Sequence, residues 1–208
     1  MSKHTLTTPI SDEEIRALKA GDSVSINGII VTGRDAAHKY MIENFIRPEQ
    51  IPASEQELHD ELKSLLDGSI IYHCGPVVRH NDDGSWTFVA AGPTTSIREE
   101  PYQADVIKYF NLKGVIGKGG MGAKTLQACQ EQPAVYFHAI GGAASLIAQS
   151  VKEVVTVFKL EEMGVPECFW VIRVEDFPAV VTMDSHGGSQ HSNIDVSSKE
   201  KLEALLNA

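Results

Sequence analysis

Gly-Pro-Thr-Thr-Ser-Ile-Arg at residues 92–98 and Gly-Lys-Gly-Gly-Met-Gly at residues 117–122 are two turn-rich loops, separated in the sequence by about one helix and one strand. Glycine lets the backbone approach a ligand closely, and proline stiffens the first loop. The loops carry the hydroxyls of Thr94 and Thr95 and the cations of Arg98 and Lys118. Cations gathered on such loops in an acidic protein indicate a binding site for a small anion. We interpret this stretch as half of an active site.

The overall charge and composition exclude several classes of partner. Among the 208 residues, 28 acidic side chains outnumber 18 lysines and arginines, which leaves a formal charge of −10. Nucleic acids and anionic membranes bind basic surfaces, and no basic face is visible in the sequence. No apolar run is long enough to cross a bilayer, and residues 1–5 lack the apolar core of a signal peptide. We expect a cytoplasmic protein with one large domain or two small ones.

The three cysteines, Cys74, Cys129 and Cys168, have no spacing typical of a metal site or of a redox pair. An odd number of cysteines without an export signal is typical of reduced thiols rather than of a disulfide framework. We expect all three to be buried structural residues, and we predict no metal ligand in this chain.

The first part of the chain alternates between helix and strand patterns. Ser11 and Glu14 form a capping box that begins a short helix, and residues 23–31 become strongly β-branched, which predicts a strand. Arg34 follows this strand and precedes a helical pattern at residues 36–45. Such junctions expose free backbone N–H groups and often bind ligands, although the spacing alone favours an ordinary surface arginine.

The rest of the chain shows the same alternation without strict βαβ regularity. Residues 47–68 contain two prolines and a polar helical pattern, and we interpret them as a peripheral insertion. Strands are predicted at 69–73 with a continuation at 77–78, and at 86–90, 115–116, 134–138, 154–158, 169–174 and 180–183. A short amphipathic helix is predicted at 198–206, within the tail 189–208. This order favours an α/β fold with a mixed sheet, or with two sheets and helices outside them.

Two glycine motifs in the 117–122 loop point to other functions. Gly117, Gly119 and Gly122 fit the dinucleotide pattern G-x-G-x-x-G, but the next strand ends without the acidic residue that would hold a ribose. The same loop comes close to a phosphate-binding P-loop, except that Ala123 occupies the position of the essential lysine. We therefore disfavour a dinucleotide site and reject a P-loop.

Several motifs in a fixed order resemble a known family. The two glycine-rich loops are accompanied by Val-Thr-Gly-Arg-Asp-Ala-Ala-His-Lys at 31–39, His-Cys-Gly-Pro-Val-Val at 73–78, Leu-Glu-Glu-Met-Gly-Val-Pro-Glu at 160–167 and Asp-Ser-His-Gly at 184–187. From residue 6 to about residue 188, the sequence resembles the beta region of the iron–sulfur hydro-lyases. These enzymes comprise the class I fumarate hydratases and the L(+)-tartrate dehydratases.

This resemblance implies a swivelling β/β/α fold for residues 1–208, taken as a single beta-type domain. It also implies a partner alpha subunit whose three cysteines hold a [4Fe-4S] cluster with one open iron, so that this chain is inactive alone. The beta part of such enzymes supplies substrate-binding and catalytic side chains at the interface between the two parts. We further expect the chain to form a homodimer or to enter a heterotetramer.

The family motifs also imply a role for each candidate site residue. Arg34, Arg98 and Lys118 match the cationic contacts to a dicarboxylate substrate. Arginine suits this task because its planar fork binds both oxygens of one carboxylate. Thr94 matches the catalytic base, and Thr95 lies beside it as a further substrate contact. The alternatives are turn stabilisation for the two threonines and a solvated loop position for Lys118.

Three histidines, His38, His73 and His186, lie in matching motifs, but histidines on a helix face or at a strand end are more often structural. The expected function is the reversible hydration of fumarate to L-malate, as the beta subunit of a hydro-lyase. One alternative is the beta subunit of L(+)-tartrate dehydratase, which converts tartrate to oxaloacetate. Another is a non-catalytic domain that binds a small acid. Discrimination between fumarate or L-malate and tartrate depends on one or two polar contacts, some of them in the missing subunit.

Overall fold

A computed structural model describes residues 2–207 of the chain. The strands are β1 Lys3–Thr7, β2 Ser23–Thr32, β3 Ile70–Tyr72, β4 Val77–His80, β5 Trp86–Ala90, β6 Gly114–Gly117, β7 Val135–His138, β8 Val151–Phe158 and β9 Phe169–Met183. The helices are α1 Asp12–Ala17, α2 Asp35–Met41, α3 Gln56–Leu66, α4 Glu100–Phe110, α5 Ala123–Glu131, α6 Ala144–Ala148, α7 Leu160–Met163 and α8 Gln190–Leu206. A π-helical turn, Ile42–Ile46, extends α2, and 3-10 turns at Ala53–Glu55 and Ser96–Glu99 precede α3 and α4.

Five of the strands close into a ring. β3, β6 and β7 are parallel neighbours, and β2 is parallel to β3. β9 closes the ring because it is long enough to pair antiparallel with β2 through residues 171–180 and with β7 through residues 180–183. β1 pairs with β2, and β8 pairs with β9, whereas β4 and β5 form a separate hairpin. The predicted α/β fold with a mixed sheet is confirmed.

The core has two compartments, and alternate residues of each strand face opposite sides. On β3, Ile70 and Tyr72 belong to the cluster enclosed by the strands, whereas Ile71 belongs to the cluster under the helices. Trp170 and Val171 divide between the two clusters in the same way on β9. This period of two is the pattern of strands that are buried on both faces. One cluster therefore lies among the strands and the other lies between the strands and the helices.

Residues 47–68 contribute to the helix layer. Leu62 and Leu66, one turn apart on α3, are completely buried and belong to the cluster under the helices. His59 of the same helix is hydrogen-bonded to the hydroxyl of Tyr109 on α4, at 2.9 Å. The apolar side of α3 therefore packs into the core, although its sequence is mostly polar.

Two local predictions differ from the structure. Residues 77–78 do not continue β3 but begin the hairpin strand β4, because the chain turns at Gly75 and Pro76 before it enters a different sheet. The two strands predicted at 169–174 and 180–183 are parts of the single strand β9, which passes through Asp176 at a positive φ of 52°. Aspartate tolerates this left-handed conformation better than most residues, so the strand bends there without ending.

The tail forms a longer helix than predicted, α8, and no residue of this helix is buried. Within residues 2–207, no helix combines the length and the apolar character that a bilayer crossing requires.

Candidate active site

The candidate site lies where the parallel strands β3, β6 and β7 end. His73 follows β3, Lys118 follows β6, and His138 is the last residue of β7. Because these strands are parallel, their carboxyl ends share one edge of the sheet, the edge at which open α/β sheets bind ligands. Both glycine-rich loops of the sequence meet at this edge.

Residues 94–96 lie between the ends of β3 and β6 and are held there by backbone hydrogen bonds. The Thr94 N–H donates to the carbonyl of His73 at 2.6 Å, and the Lys118 N–H donates to the carbonyl of Thr94 at 3.1 Å. The Ser96 N–H in turn donates to the carbonyl of Lys118 at 3.0 Å. The main chain therefore fixes Thr94, Thr95 and Lys118 beside one another.

Two glycines shape the Lys118 loop. A methyl group on Gly117 would overlap the hydroxyl of Ser96 and would lie 3.0 Å from the hydroxyl of Tyr136. Gly120 has a φ of +80°, which favours glycine, and a methyl group there would overlap the imidazole ring of His191. The loop can approach residues 94–96 closely only because position 117 has no side chain.

The side chains at the edge are reachable. Thr94 and Lys118 are half-buried, and Thr95 is exposed. Thr95 precedes the 3-10 turn Ser96–Glu99, but its side chain makes no capping hydrogen bond to that turn. Turn stabilisation therefore does not account for the Thr95 hydroxyl, and this side chain is available to a ligand.

Arg34 begins α2 and is held by an ion pair. Its Nη2 lies 3.3 Å from Oε1 of Glu167, whose other oxygen accepts the Ala36 N–H at 3.1 Å. The guanidinium covers Gly75, where a methyl group would overlap Nη1. Gly75 follows Cys74, whose backbone forms an isolated antiparallel β-bridge with Pro93, the residue before Thr94. Arg34 therefore reaches the edge formed by the two loops, with about a fifth of its side chain exposed.

Arg98 connects the first glycine-rich loop to α2. Its Nη2 lies 3.2 Å from Oδ2 of Asp35, and about half of the side chain is exposed. The two arginines predicted to bind substrate are thus linked through Asp35, the neighbour of Arg34 in the sequence. All five predicted site residues lie on adjoining segments at this edge, and their chemical roles stay predictions.

A buried polar network lies beneath the loops. Gln103 Oε1 is hydrogen-bonded to Nε2 of His38 at 3.0 Å and to Nε2 of His73 at 2.8 Å. Nδ1 of His73 is hydrogen-bonded to the Ser96 hydroxyl at 2.8 Å, and the Tyr136 hydroxyl donates to the same oxygen at 2.8 Å. Burial lowers the pKa of His38 and lowers that of His73 well below its ordinary value. Burial thus favours the neutral form of both rings, and His38 and His73 are structural parts of the site, which agrees with the structural interpretation of these two histidines.

Sequence reasoning missed Ser96, Gln103 and Tyr136 as members of this network. Gln103 carried a signal, because it shares a buried stripe of α4 with Val106, Ile107 and Phe110. A polar residue on an apolar helix stripe needs a buried partner. His186 lies outside the network: its Nε2 is hydrogen-bonded to the backbone carbonyl of Arg16 at 2.8 Å.

The cysteines do not fit an iron–sulfur cluster. All three are free and buried; Cys74 and Cys168 belong to the cluster enclosed by the strands, and Cys129 to the one under the helices. Cluster ligands are thiolates. Burial opposes the thiolate, because it raises the pKa of Cys74 and Cys129 to about 12 and that of Cys168 to about 11. In the part of the chain that the structure describes, no three His, Cys, Asp or Glu side chains are grouped as metal ligands would be.

Comparison with known proteins gives a consistent assignment. Residues 1–194 match the family described as Fumarase C-terminus. The chain is 54% identical over 198 residues to a protein of Geobacillus stearothermophilus whose name, fumarate hydratase class I, is provisional. This match covers 95% of the present chain and 35% of the relative, so the chain spans about a third of that protein's length.

Two shorter relatives are matched over most of their length. A protein of Methanocaldococcus jannaschii, provisionally named L(+)-tartrate dehydratase subunit beta, is 39% identical over 198 residues, which cover 95% of both chains. The L(+)-tartrate dehydratase subunit beta of Escherichia coli strain K12 is 39% identical over 188 residues, which cover 90% of this chain and 86% of the relative.

Proposed function

The chain belongs to the Fumarase C-terminus family, and from this premise we propose that it is the beta subunit of a hydro-lyase that reversibly hydrates fumarate to L-malate. The observation that carries the proposal is the meeting of Arg34, Thr94, Thr95, Arg98 and Lys118 at one edge of the sheet. The 54% identity to the relative named for fumarate, against 39% to those named for tartrate, favours fumarate as the substrate.

The cations are suited to bind the two carboxylates of the substrate. Arg34 and Arg98 each present a planar fork, and a charge-assisted pair of hydrogen bonds to one carboxylate fixes its orientation as well as its position. The acids that hold these arginines, Glu167 and Asp35, leave each guanidinium partly exposed. Lys118 adds a point charge from the neighbouring loop. The proposed substrate therefore lies between the two arginines and Lys118.

Thr94 is proposed as the base that removes a proton from the carbon next to the hydroxyl-bearing carbon. A free hydroxyl is too weak an acid to be ionised at neutral pH, so it needs a positive electrostatic environment. We propose the Lys118 ammonium as the source of this charge, because the Lys118 N–H donates to the Thr94 carbonyl and so keeps the two residues adjacent. The backbone hydrogen bond from Thr94 to His73 fixes the main chain that carries the hydroxyl.

The [4Fe-4S] cluster implied by the family is proposed to belong to a partner alpha subunit, since the cysteines of this chain are separately buried. The beta subunit is proposed to act within a homodimer or a heterotetramer, as one domain of residues 1–208 in which 47–68 is an insertion relative to close relatives. The three free thiols agree with the reducing cytoplasm as the proposed location.

Anaerobic co-expression with the alpha subunit tests this function. Fumarate, L-malate and both tartrates are assayed with the wild type and with the Thr94→Ala and Lys118→Ala variants. The variants Thr5→Ala and Lys152→Ala serve as matched controls. They change exposed residues that are distant in the sequence from Thr94 and Lys118. We expect turnover of fumarate and L-malate that both site variants abolish and both controls retain. Turnover of tartrate alone would favour the second candidate, the L(+)-tartrate dehydratase beta subunit.

A non-catalytic domain that binds a small acid is the remaining alternative. It predicts that the isolated chain binds a dicarboxylate and that co-expression with the alpha subunit adds no turnover. Unchanged turnover in both site variants would remove the assignment of Thr94 and Lys118.

A further inference from the structure

Two arginine–acid dipeptides, Arg34-Asp35 and Arg98-Glu99, meet at the start of α2. Asp35 holds Arg98 through Oδ2 at 3.2 Å, while Oδ1 of Asp35 is buried and has no hydrogen-bond partner among the described residues. The side chain of Glu99 is completely buried, and both of its oxygens likewise lack partners there. Three carboxyl oxygens are therefore buried without a donor at one place.

The groups that face Glu99 come from four segments. The ion pair with Arg98 brings Asp35 of α2 beside this turn, and Arg98 of the turn itself contributes a weaker positive charge. Nδ1 of His73, which follows β3, lies 4.0 Å from Oε2, and Tyr136 of β7 is a further neighbour. Within the described residues no lysine or arginine pairs with Glu99, and the guanidinium of the adjacent Arg98 points at Asp35 instead.

An ionised Glu99 would be costly in this position. A buried carboxylate without a hydrogen-bond donor loses its hydration without compensation. The neighbouring Asp35 carboxylate adds repulsion, and two carboxylates that share a site do not both ionise readily. One proton between the two groups resolves both problems, because a protonated Glu99 donates to the free oxygen of Asp35.

We propose that Asp35 and Glu99 share one proton, carried by the Glu99 carboxyl and donated to Oδ1 of Asp35, and that this carboxyl pair is a positioning device for Arg98. The proton joins the turn Ser96–Glu99 to the start of α2, and the second oxygen of Asp35 then orients the Arg98 guanidinium. The net charge of Asp35, Arg98 and protonated Glu99 is zero. That Arg98 contacts substrate rests on the proposed function, whereas the shared proton does not.

The electrostatic surroundings support the protonated form. Burial, and then the neighbouring Asp35, raises the pKa of Glu99 from 4.5 to about 8. His73 is not the alternative carrier, because its two ring nitrogens are engaged by Ser96 and Gln103 and because burial lowers its pKa. At neutral pH the proton therefore resides on Glu99.

Infrared spectroscopy of the isolated full-length chain tests the proposal directly. We expect the carbonyl band of a protonated carboxylic acid at about pH 7, where exposed carboxyls are ionised. The band is expected to disappear in Glu99→Gln and to persist in the control Glu49→Gln, an exposed loop residue. Absence of the band from the wild type would overturn the proposal, as would an ion pair between Glu99 and a protonated His73.

Thermal unfolding of the same proteins provides a second readout. The folded chain binds the Glu99 proton over a pH range in which the unfolded chain has released it, so the contribution of Glu99 to wild-type stability falls as the pH rises from about 4.5 to about 8. The Tm of Glu99→Gln relative to the wild type should therefore increase with pH across this range. Glu99→Ala should unfold at a lower temperature than Glu99→Gln, because the amide still donates to Asp35 and a methyl group does not.

A Tm difference between wild type and Glu99→Gln that stays constant at all pH values would contradict a shared proton. Should Glu99→Gln fail to fold, the infrared band of the wild type and its loss above about pH 8 still decide the question. Both measurements use the chain without substrate or partner, so their outcome is independent of whether the proposed hydro-lyase activity is found.

Discussion

Gly117 lies directly against Ser96, so closely that a methyl group on Gly117 would overlap the Ser96 hydroxyl. The contact joins the end of β6 to the loop that carries Thr94 and Thr95. It also adjoins the imidazole of His73, whose Nδ1 would lie 3.2 Å from the added methyl group. The spacing between the two candidate loops is thus set by a position that tolerates no side chain.

Gly117→Ala should separate these loops. We expect destabilisation by about 1–3 kcal/mol from overpacking. We also expect a loss of activity on the order of 100-fold, because small displacements of catalytic groups are costly. Urea unfolding and assays with the alpha subunit measure the two effects. Gly141→Ala is the control, since its methyl group would make only an ordinary contact with Lys118 at 3.5 Å. Equal activity of the two variants would contradict a site shaped by this contact.

Arg34→Lys should weaken substrate binding while it preserves the charge. A lysine ammonium lacks the planar fork, so the variant loses one charge-assisted hydrogen bond, which contributes about 1.5–3 kcal/mol. We expect KM for the dicarboxylate to rise about 10- to 100-fold. Steady-state kinetics of the co-expressed enzyme measure this change, with the exposed Arg47→Lys as the matched control. An unchanged KM would exclude Arg34 from the substrate contacts.

Gln103→Leu should destabilise the chain, because it leaves Nε2 of His38 and Nε2 of His73 without a hydrogen-bond partner. Each buried polar group that loses its partner costs about 1–3 kcal/mol, and both His38 and His73 are completely buried. We expect the free energy of unfolding in urea to fall by about 2–4 kcal/mol. Gln127→Leu replaces an exposed glutamine of α5 and should change it by less than about 0.5 kcal/mol. Similar losses in both variants would show that the network contributes no stability.

Acidification should destabilise the chain through the same histidines. Burial holds the pKa of His38 and His73 below the ordinary value of 6.5, so below that pH the unfolded chain binds more protons than the folded one. Stability is therefore present above pH 6.5 and is lost as the pH falls toward the folded pKa values, by at most about 1.4 kcal/mol per pH unit for each ring.

Because Glu99 contributes a slope of opposite sign, this effect is measured in the Glu99→Gln background. Urea unfolding at a series of pH values below 6.5 should give a positive slope of stability against pH. Adding His73→Asn should reduce the slope. A flat profile would mean that the rings titrate normally in the folded chain.

Leu62→Ala tests whether α3 belongs to the core. The side chain is completely buried, so its truncation should cost about 2–5 kcal/mol of unfolding free energy. Leu202→Ala removes a leucine of α8 that is 55% exposed and should cost less than about 0.5 kcal/mol. A small effect of Leu62→Ala would mean that residues 47–68 are a dispensable surface segment.

Local features of the sequence predicted the elements that depend on neighbouring residues. The β-branched run before Arg34 and the glycine and proline positions of the two loops identified β2 and the loops that carry Thr94 and Lys118. The closure of the strands by β9 was not predictable in this way, because the pairing of Val31 with Val171 joins distant parts of the chain. That β4 and β5 form a sheet separate from β3 was missed for the same reason.

The candidate site shows the same division. Thr94, Arg98 and Lys118 stand out because cations and hydroxyls lie in loops with close backbone approach. Glu99 looks like an ordinary charged residue beside Glu100, and its burial becomes visible only when α2 is placed against the 3-10 turn. Buried polar partners are defined by tertiary packing, and spacing along the chain carries little information about them.

Three main-chain hydrogen bonds hold residues 94–96 between β3 and β6, and they use atoms that every amino acid except proline supplies. Mutations at the positions that line the cleft can therefore accumulate while its frame stays constant. A lineage built on this frame is free to exchange one ligand for another by altering a few side chains, without first having to evolve a new architecture.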